Sequence, residues 1–248
     1  MIKAVAFDGD GTLYEGKKSI EEVRKVIEWL GERGISCYVA SNTSSVDKIA
    51  LYDRIGGIID VENIYTAVDI MIEYIKEKGI SVYPIGSNYI KERLANEGIE
   101  IVENADAVCV SHTKELNYGS FKKAMEILLN GGDLLAANAD RYYVGENGLL
   151  PGTGIIVRAL SENFLVKARV FGKPSPDMLN RIIEKEGIRK EELLMVGDME
   201  ETDIGAAKSA GCKSLLIENN IPQLVRVTAD WKVNRESLMD AIKSIVGS

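Results

Sequence analysis

The chain has 248 residues, enough for one large domain or two modest ones, and its 46% hydrophobic and 27% charged content is ordinary for a globular protein. A formal net charge of −8 and a pI near 5.0 leave no broad basic surface, which argues against nucleic acid as the main partner. No apolar run approaches the roughly 20 residues needed to cross a bilayer, and the chain enters directly into a strand with no signal-peptide pattern, so a cytoplasmic protein that makes no use of a membrane is expected.

Residues 2–7 are a short apolar run with β-branched and aromatic side chains, long enough for one buried strand. The run ends in Asp8-Gly9-Asp10-Gly11-Thr12. Side chains alternate along a strand, so positions i and i+2 point the same way at its carboxyl end. In open α/β sheets that edge is where ligands bind. Two acids there, on glycine-loosened backbone, suit a divalent cation, a phosphate ester or both; the competing reading is an acidic turn.

Helical periodicity follows over 19–33 (Ile20, Val23, Ile27, Leu30), with a Ser19 cap, Glu22 three residues on, and Gly34 as the stop. A strand over 35–40 ends in Ser41-Asn42-Thr43-Ser44-Ser45, whose small polar side chains can bind phosphate oxygens or can simply cap the helix predicted over 46–55. Helices over 67–78, 87–96 and 120–129 alternate with strands over 80–85, 107–111 and 133–137. Residues 138–154 are rich in Gly and Asn, with hairpin-like pieces at Tyr142-Tyr143-Val144 and Gly145-Glu146-Asn147-Gly148, and break the rhythm. A strand over 168–171 leads to Lys173 in Gly-Lys-Pro, and a helix spans 176–186. The strand over 192–196 ends in Gly197-Asp198, before a helix over 203–209; Asp203 at its start would be an ordinary cap. A strand over 213–217 and a helix over 235–246 complete the chain.

This alternation predicts an α/β protein: a Rossmann-like, doubly wound parallel sheet with a large inserted α/β unit. The expected division is a discontinuous core, 1–78 and 166–248, around an insert of 79–165. Four strand ends then bring Asp8 and Asp10, Ser41, Lys173 and Asp198 to one edge. Cys37, Cys109 and Cys212 are odd in number, widely separated and in apolar surroundings, which predicts reduced core thiols. His112 is the only histidine, excluding a histidine-rich metal site and most histidine-based triads.

Asp8-Gly-Asp10-Gly-Thr12, Ser41, Lys173 in Gly-Lys-Pro, and Gly197-Asp198 with Thr202-Asp203 resemble, in order, the four motifs of the haloacid dehalogenase superfamily. Ser41-Asn42-Thr43-Ser44-Ser45, Ala136-Ala137-Asn138-Ala139-Asp140 and Leu150-Pro151-Gly152-Thr153-Gly154 are similar to its 4-nitrophenylphosphatase or NagD-like branch, although Ala139 stands where relatives often have Pro. The resemblance implies that 79–165 is a cap. It implies a magnesium-dependent phosphomonoester hydrolase for a small phosphorylated metabolite, with Asp8 as the nucleophile that becomes an aspartyl-phosphate and Asp10 as general acid, then base. Lys173 would counter phosphoryl charge, and Gly11, Ser41 and Asn42 would hold the phosphoryl oxygens. Mg2+ would be held by Asp8, the backbone carbonyl of Asp10, and Asp198, with Asp203 behind them. Asp140, Arg141 and Tyr142 are the candidates for substrate selection in the cap. The expected partner is a small-molecule phosphate ester, with a homodimer as the candidate assembly. A phosphotransferase or mutase on the same scaffold is the nearest alternative. A receiver-type phospho-acceptor would need neither Asp10 nor a large cap.

Overall fold

The computed structural model describes residues 1–16, 18–145 and 148–247. The chain forms two compact units: Met1–Ser41, Lys48–Tyr65 and Lys173–Ser248 make up the first, Asn42–Asp47 and Thr66–Gly172 the second. Helix Ala67–Lys78, the short Asn42–Asp47 segment and residues 166–172 thus group with the second unit, which is wider than the 79–165 insert read from sequence. The strand Ala168–Val170 that precedes Lys173 belongs to the second sheet, so Lys173 does not follow a strand of the sheet that carries Asp8 and Asp198.

In the first unit six strands lie in the order Trp231–Val233, Lys213–Ile217, Leu193–Gly197, Ala4–Phe7, Ser36–Ser41 and Ile64–Thr66. Ala4–Phe7 pairs in parallel with both neighbours, Ala4 standing opposite Leu193 on one side and Ser36 on the other. The chain therefore leaves the central strand in one direction and later returns on its other side. Such a reversal opens a crevice at the carboxyl ends of the strands. Ala4, Val5, Ala6 and Phe7 are completely buried, as are Leu193 to Val196. Unbroken apolar runs of this kind suit a parallel sheet covered on both faces. Helix Glu21–Gly31 turns Val23, Val26, Ile27 and Leu30 inward, the 3.6-residue spacing the sequence displays.

The second unit has its own four-stranded parallel sheet, ordered Ala168–Val170, Asp133–Ala136, Ala107–Val110, Val82–Ile85. Val108, Val110, Leu134, Ile127 and Leu160 pack in its core, the last from helix Gly154–Phe164. An antiparallel pair, Tyr142–Gly145 with Gly148–Pro151, occupies the irregular stretch; Glu146 and Asn147 of the expected hairpin turn lie outside the described residues.

Some local expectations need correction. Ser19 does not cap the first helix: the cap position is Ile20, with no side-chain hydrogen bond. Ser19 instead pairs with Tyr14 in a two-residue hairpin, and Glu21 and Glu22 face the helix amino terminus. Helix 46–55 shortens to Lys48–Arg54, because the polar groups of Ser44 are bonded within the second unit: Ser111 Oγ donates to its carbonyl at 3.0 Å and His112 N to its hydroxyl at 3.2 Å. The helix expected from 203 starts at Gly205, after a π-helical turn over Glu200–Ile204. Helix Ala67–Lys78 has its expected bounds, capped by Thr66, which accepts from Asp69 N, and closed by left-handed Gly79. The three cysteines are free, and burial pushes each thiol up to about 12, as inert packing groups. Among the described residues no helix is long and apolar enough to cross a membrane.

Candidate active site

Asp8 follows the central strand, its N–H donating to Val196 O at 2.9 Å. Its carboxylate accepts from Lys173 Nζ, whose side chain is 1% exposed. The same ammonium group donates to Asp203 Oδ1 at 2.6 Å. Asp203 Oδ2 in turn accepts from the backbone N–H groups of Asp198 and Met199, at 3.0 and 2.9 Å. Asp203 is therefore a buried strut: one oxygen fixes the lysine and the other shapes the loop carrying Asp198. Gly197 permits this closeness, since a Cβ there would stand 2.3 Å from the Asp203 carboxyl.

One buried cation among three buried carboxylates leaves an excess of negative charge. Burial raises the Asp8 carboxyl, with Lys173 opposing and Asp203 adding to the rise. Burial raises the Asp198 carboxyl as well, reinforced by Asp8 and Asp203. Burial alone would lower the Lys173 pKa, but Asp203 and Asp8 outweigh it and the ammonium form is favoured.

Asp10 is open to solvent at the residue level, yet its carboxyl is enclosed enough that desolvation raises it, against the pull of Arg54. The Arg54 guanidinium lies 4.9 Å over the ring of buried Tyr14. A Cβ on Gly9, between the two acids, would come within 3.0 Å of Tyr14 Oη and 3.2 Å of buried Ser41 Oγ. Gly11 has φ +85°, and a Cβ there would strike Asp198 Oδ2 at 2.3 Å, so only glycine fits between the first loop and Asp198. Arg235 ties this loop down from the carboxyl-terminal part of the chain, donating to Gly11 O at 3.3 Å and to Glu15 Oε1 at 2.6 Å.

The first unit thus brings together Asp8, Asp10, Gly11, Ser41, Lys173, Asp198 and Asp203. Asn42, Asp140, Arg141 and Tyr142 belong to the second unit. There Asn42 Nδ2 donates to Asp140 Oδ1 at 2.8 Å, Asn138 Nδ2 donates to Asn42 O at 2.7 Å, and Gly152 N donates to Arg141 O at 2.9 Å. Tyr14, Arg54, Asn219, Gln223 and Arg235 were not found from sequence. Asn219 carried a signal: it follows the strand Lys213–Ile217 two residues beyond its end, on the edge that carries the acids. Arg54 and Arg235 carried none, for each arrives from a distant helix or turn.

Asp8, Asp198 and Asp203 each present an oxygen within 4.8 Å of the others, the one such acidic group among the described residues. Both Asp203 oxygens already accept hydrogen bonds, which leaves Asp8 and Asp198 as the available ligands. Asp198 Oδ1 is buried with no hydrogen-bond partner among the described residues. An orphaned, anionic, all-oxygen donor set fits a hard divalent cation.

The haloacid dehalogenase-like hydrolase family matches residues 2–211. The chain belongs to that family. Across 239 residues it is 30% identical to the 5'-nucleotidase YutF of Bacillus subtilis, covering 93% of this chain and 92% of the relative. It is 29% identical over 229 residues to an acid sugar phosphatase of Staphylococcus aureus, covering 90% and 88%. A 4-nitrophenylphosphatase from Thermotoga maritima superposes with a TM-score of 0.87 at 26% identity, with 97% of each chain covered.

Proposed function

We propose that the protein is a magnesium-dependent phosphomonoester hydrolase that acts on a small phosphorylated metabolite through an aspartyl-phosphate on Asp8. The observation that carries this reading is the buried Asp8–Lys173–Asp203–Asp198 arrangement, with its unpartnered oxygen, at the reversal point of the sheet. The phosphatase relatives support it.

Asp8 Oδ attacks phosphorus and the ester oxygen leaves, taking a proton from Asp10, whose raised pKa favours the protonated form. Asp10, now a carboxylate, then withdraws a proton from the water that attacks the phospho-Asp8 phosphorus, and the P–O bond to Asp8 breaks. Lys173, held by Asp203, opposes the charge on the phosphoryl oxygens. Gly11, Ser41 and Asn42 are assigned to those oxygens. Mg2+ bound by Asp8, Asp198 and the Asp10 carbonyl would reduce repulsion between the anionic nucleophile and an anionic phosphate. Substrate selection is assigned to the cap, with Arg141 and Tyr142 as candidates. Asp140 sits beside them with its carboxylate bonded to Asn42.

A panel of phosphorylated metabolites assayed with added magnesium tests the reading. Release of inorganic phosphate from at least one alkyl phosphomonoester, with none from the Asp8→Asn variant, supports it. Transfer of the phosphoryl group to a second substrate without net release would favour a phosphotransferase or mutase.

A further inference from the structure

The two oxygens of Asp198 stand in opposite situations. Oδ2 accepts from Asn219 Nδ2 at 2.5 Å, while Oδ1 is buried with no hydrogen-bond partner among the described residues. The orientation of the Asn219 amide is decided by its other end: Asn219 Oδ1 accepts the N–H of Ile221 at 3.0 Å, so the NH2 must face Asp198.

The surrounding bonds make this a clamp. Gln223 Nε2 donates to Asp198 O at 3.0 Å, and Gln223 Oε1 accepts from Glu200 N at 2.8 Å. The Glu200 carboxylate is held by Arg226 and by Val227 N, each at 2.9 Å. From the opposite side Asp203 takes the Asp198 N–H. The backbone and one oxygen of Asp198 are thus fixed, and a single oxygen remains open. Asn219, Gln223 and Arg226 all come from the loop after the strand Lys213–Ile217, so this clamp is built by the carboxyl-terminal part of the chain.

We propose that Asn219 is a positioning residue that makes Asp198 a one-oxygen metal ligand and so biases the site toward a small octahedral cation over calcium. The inference rests on the metal-assisted reading above. Magnesium demands near-ideal octahedral geometry with short bonds to single oxygens, whereas calcium accepts longer bonds, higher coordination and carboxylates bound through both oxygens. An amide tied to Oδ2 takes one of its lone pairs and fixes the rotation of the carboxylate, which disfavours binding through both oxygens. Without the amide the carboxylate can rotate and offer both.

The test is calorimetric titration of the full chain with MgCl2 and, separately, CaCl2, without substrate, for the unmutated protein and Asn219→Ala. Magnesium affinity is expected to fall on the order of ten-fold, the lower end of what outer partners of metal ligands contribute. Calcium affinity should hold or improve, so the magnesium-to-calcium ratio falls. A purely structural role for Asn219 would lower the metal-free melting temperature and leave that ratio unchanged. If the alanine variant does not fold, Asn219→Ser, with a polar side chain too short to reach Oδ2, is expected to shift the ratio the same way. An unchanged ratio in the folded variants, while the unmutated protein hydrolyses esters with magnesium, overturns this proposal alone. An unmutated protein that binds neither ion overturns the metal reading as well.

Discussion

Both units are built on parallel sheets, yet their carboxyl edges carry different chemistry. The first unit's edge gathers Asp8, Lys173, Asp198 and Asp203, all buried. The second unit's strands run out into Gly86, Ser111, Ala137 and Phe171, with neutral Ser111 and Asn138 as buried polar groups there. The chain beyond Phe171 passes through Gly172 to Lys173, the first residue of the return to the first unit. Topology explains the contrast. The second sheet steps in one direction through Val82, Ala107, Asp133 and Ala168, and right-handed crossovers that always advance the same way open no crevice between neighbouring strands. The first sheet reverses beside Ala4–Phe7, so loops part there and leave room for charged groups and a ligand. In the second unit the edge holds chain rather than ligand: Ser111, His112 and Asn138 bond the segment that begins at Asn42.

The comparison breaks most visibly at Asp8. Asp8→Asn should abolish turnover while circular dichroism and the melting profile still report a folded protein, because the amide is nearly isosteric and relieves a crowded set of acids. Near-normal steady-state hydrolysis by that variant would remove Asp8 as nucleophile. Asp10→Asn should cost on the order of 10²–10⁴-fold on an alkyl phosphate and distinctly less on 4-nitrophenyl phosphate, whose leaving group barely needs a proton. Equal losses on the two esters would count against Asp10 as the acid.

A milder effect concerns pH. Asp8 and Asp198 have pKa values raised in the folded state from 3.8, so the folded protein binds more protons than the unfolded chain once pH exceeds that value. Their contribution to stability is present below it and is lost as pH rises through the raised values. The metal-free melting temperature should therefore fall as pH rises from about 4 through about 7, the raised value of Asp8. Added magnesium should reverse the fall, since it binds the deprotonated carboxylates. Asp198→Asn should flatten the pH dependence and raise the magnesium concentration needed for hydrolysis. Thermal scans across pH, with chelator and then with magnesium, decide this.

The smallest expected effect lies in the second unit. Asn138→Ala removes the donor to Asn42 O and to Ser44 Oγ, the latter still held by His112 N, a loss of about 0.5–1.5 kcal/mol per bond in denaturant unfolding. Magnesium affinity should not change. A large shift in metal affinity would mean that the neutral edge takes part in the charged one.

Local chemistry was enough to read the alternation of strands and helices, the bounds of Ala67–Lys78, and the acids at the ends of Ala4–Phe7 and Leu193–Gly197. Apolar runs, helical periodicity and terminal carboxylates are short-range patterns, and their physical consequences are short-range too. Only the tertiary structure decided that Ser19 pairs with Tyr14 instead of capping a helix, that Ser44 and Asn42 join the second unit, and that Asn219 and Arg235 reach the acidic loops from the far end of the chain. Those outcomes depend on which distant groups arrive within hydrogen-bonding distance, and that is set by the order of strands in the sheet, not by any residue's neighbours in sequence.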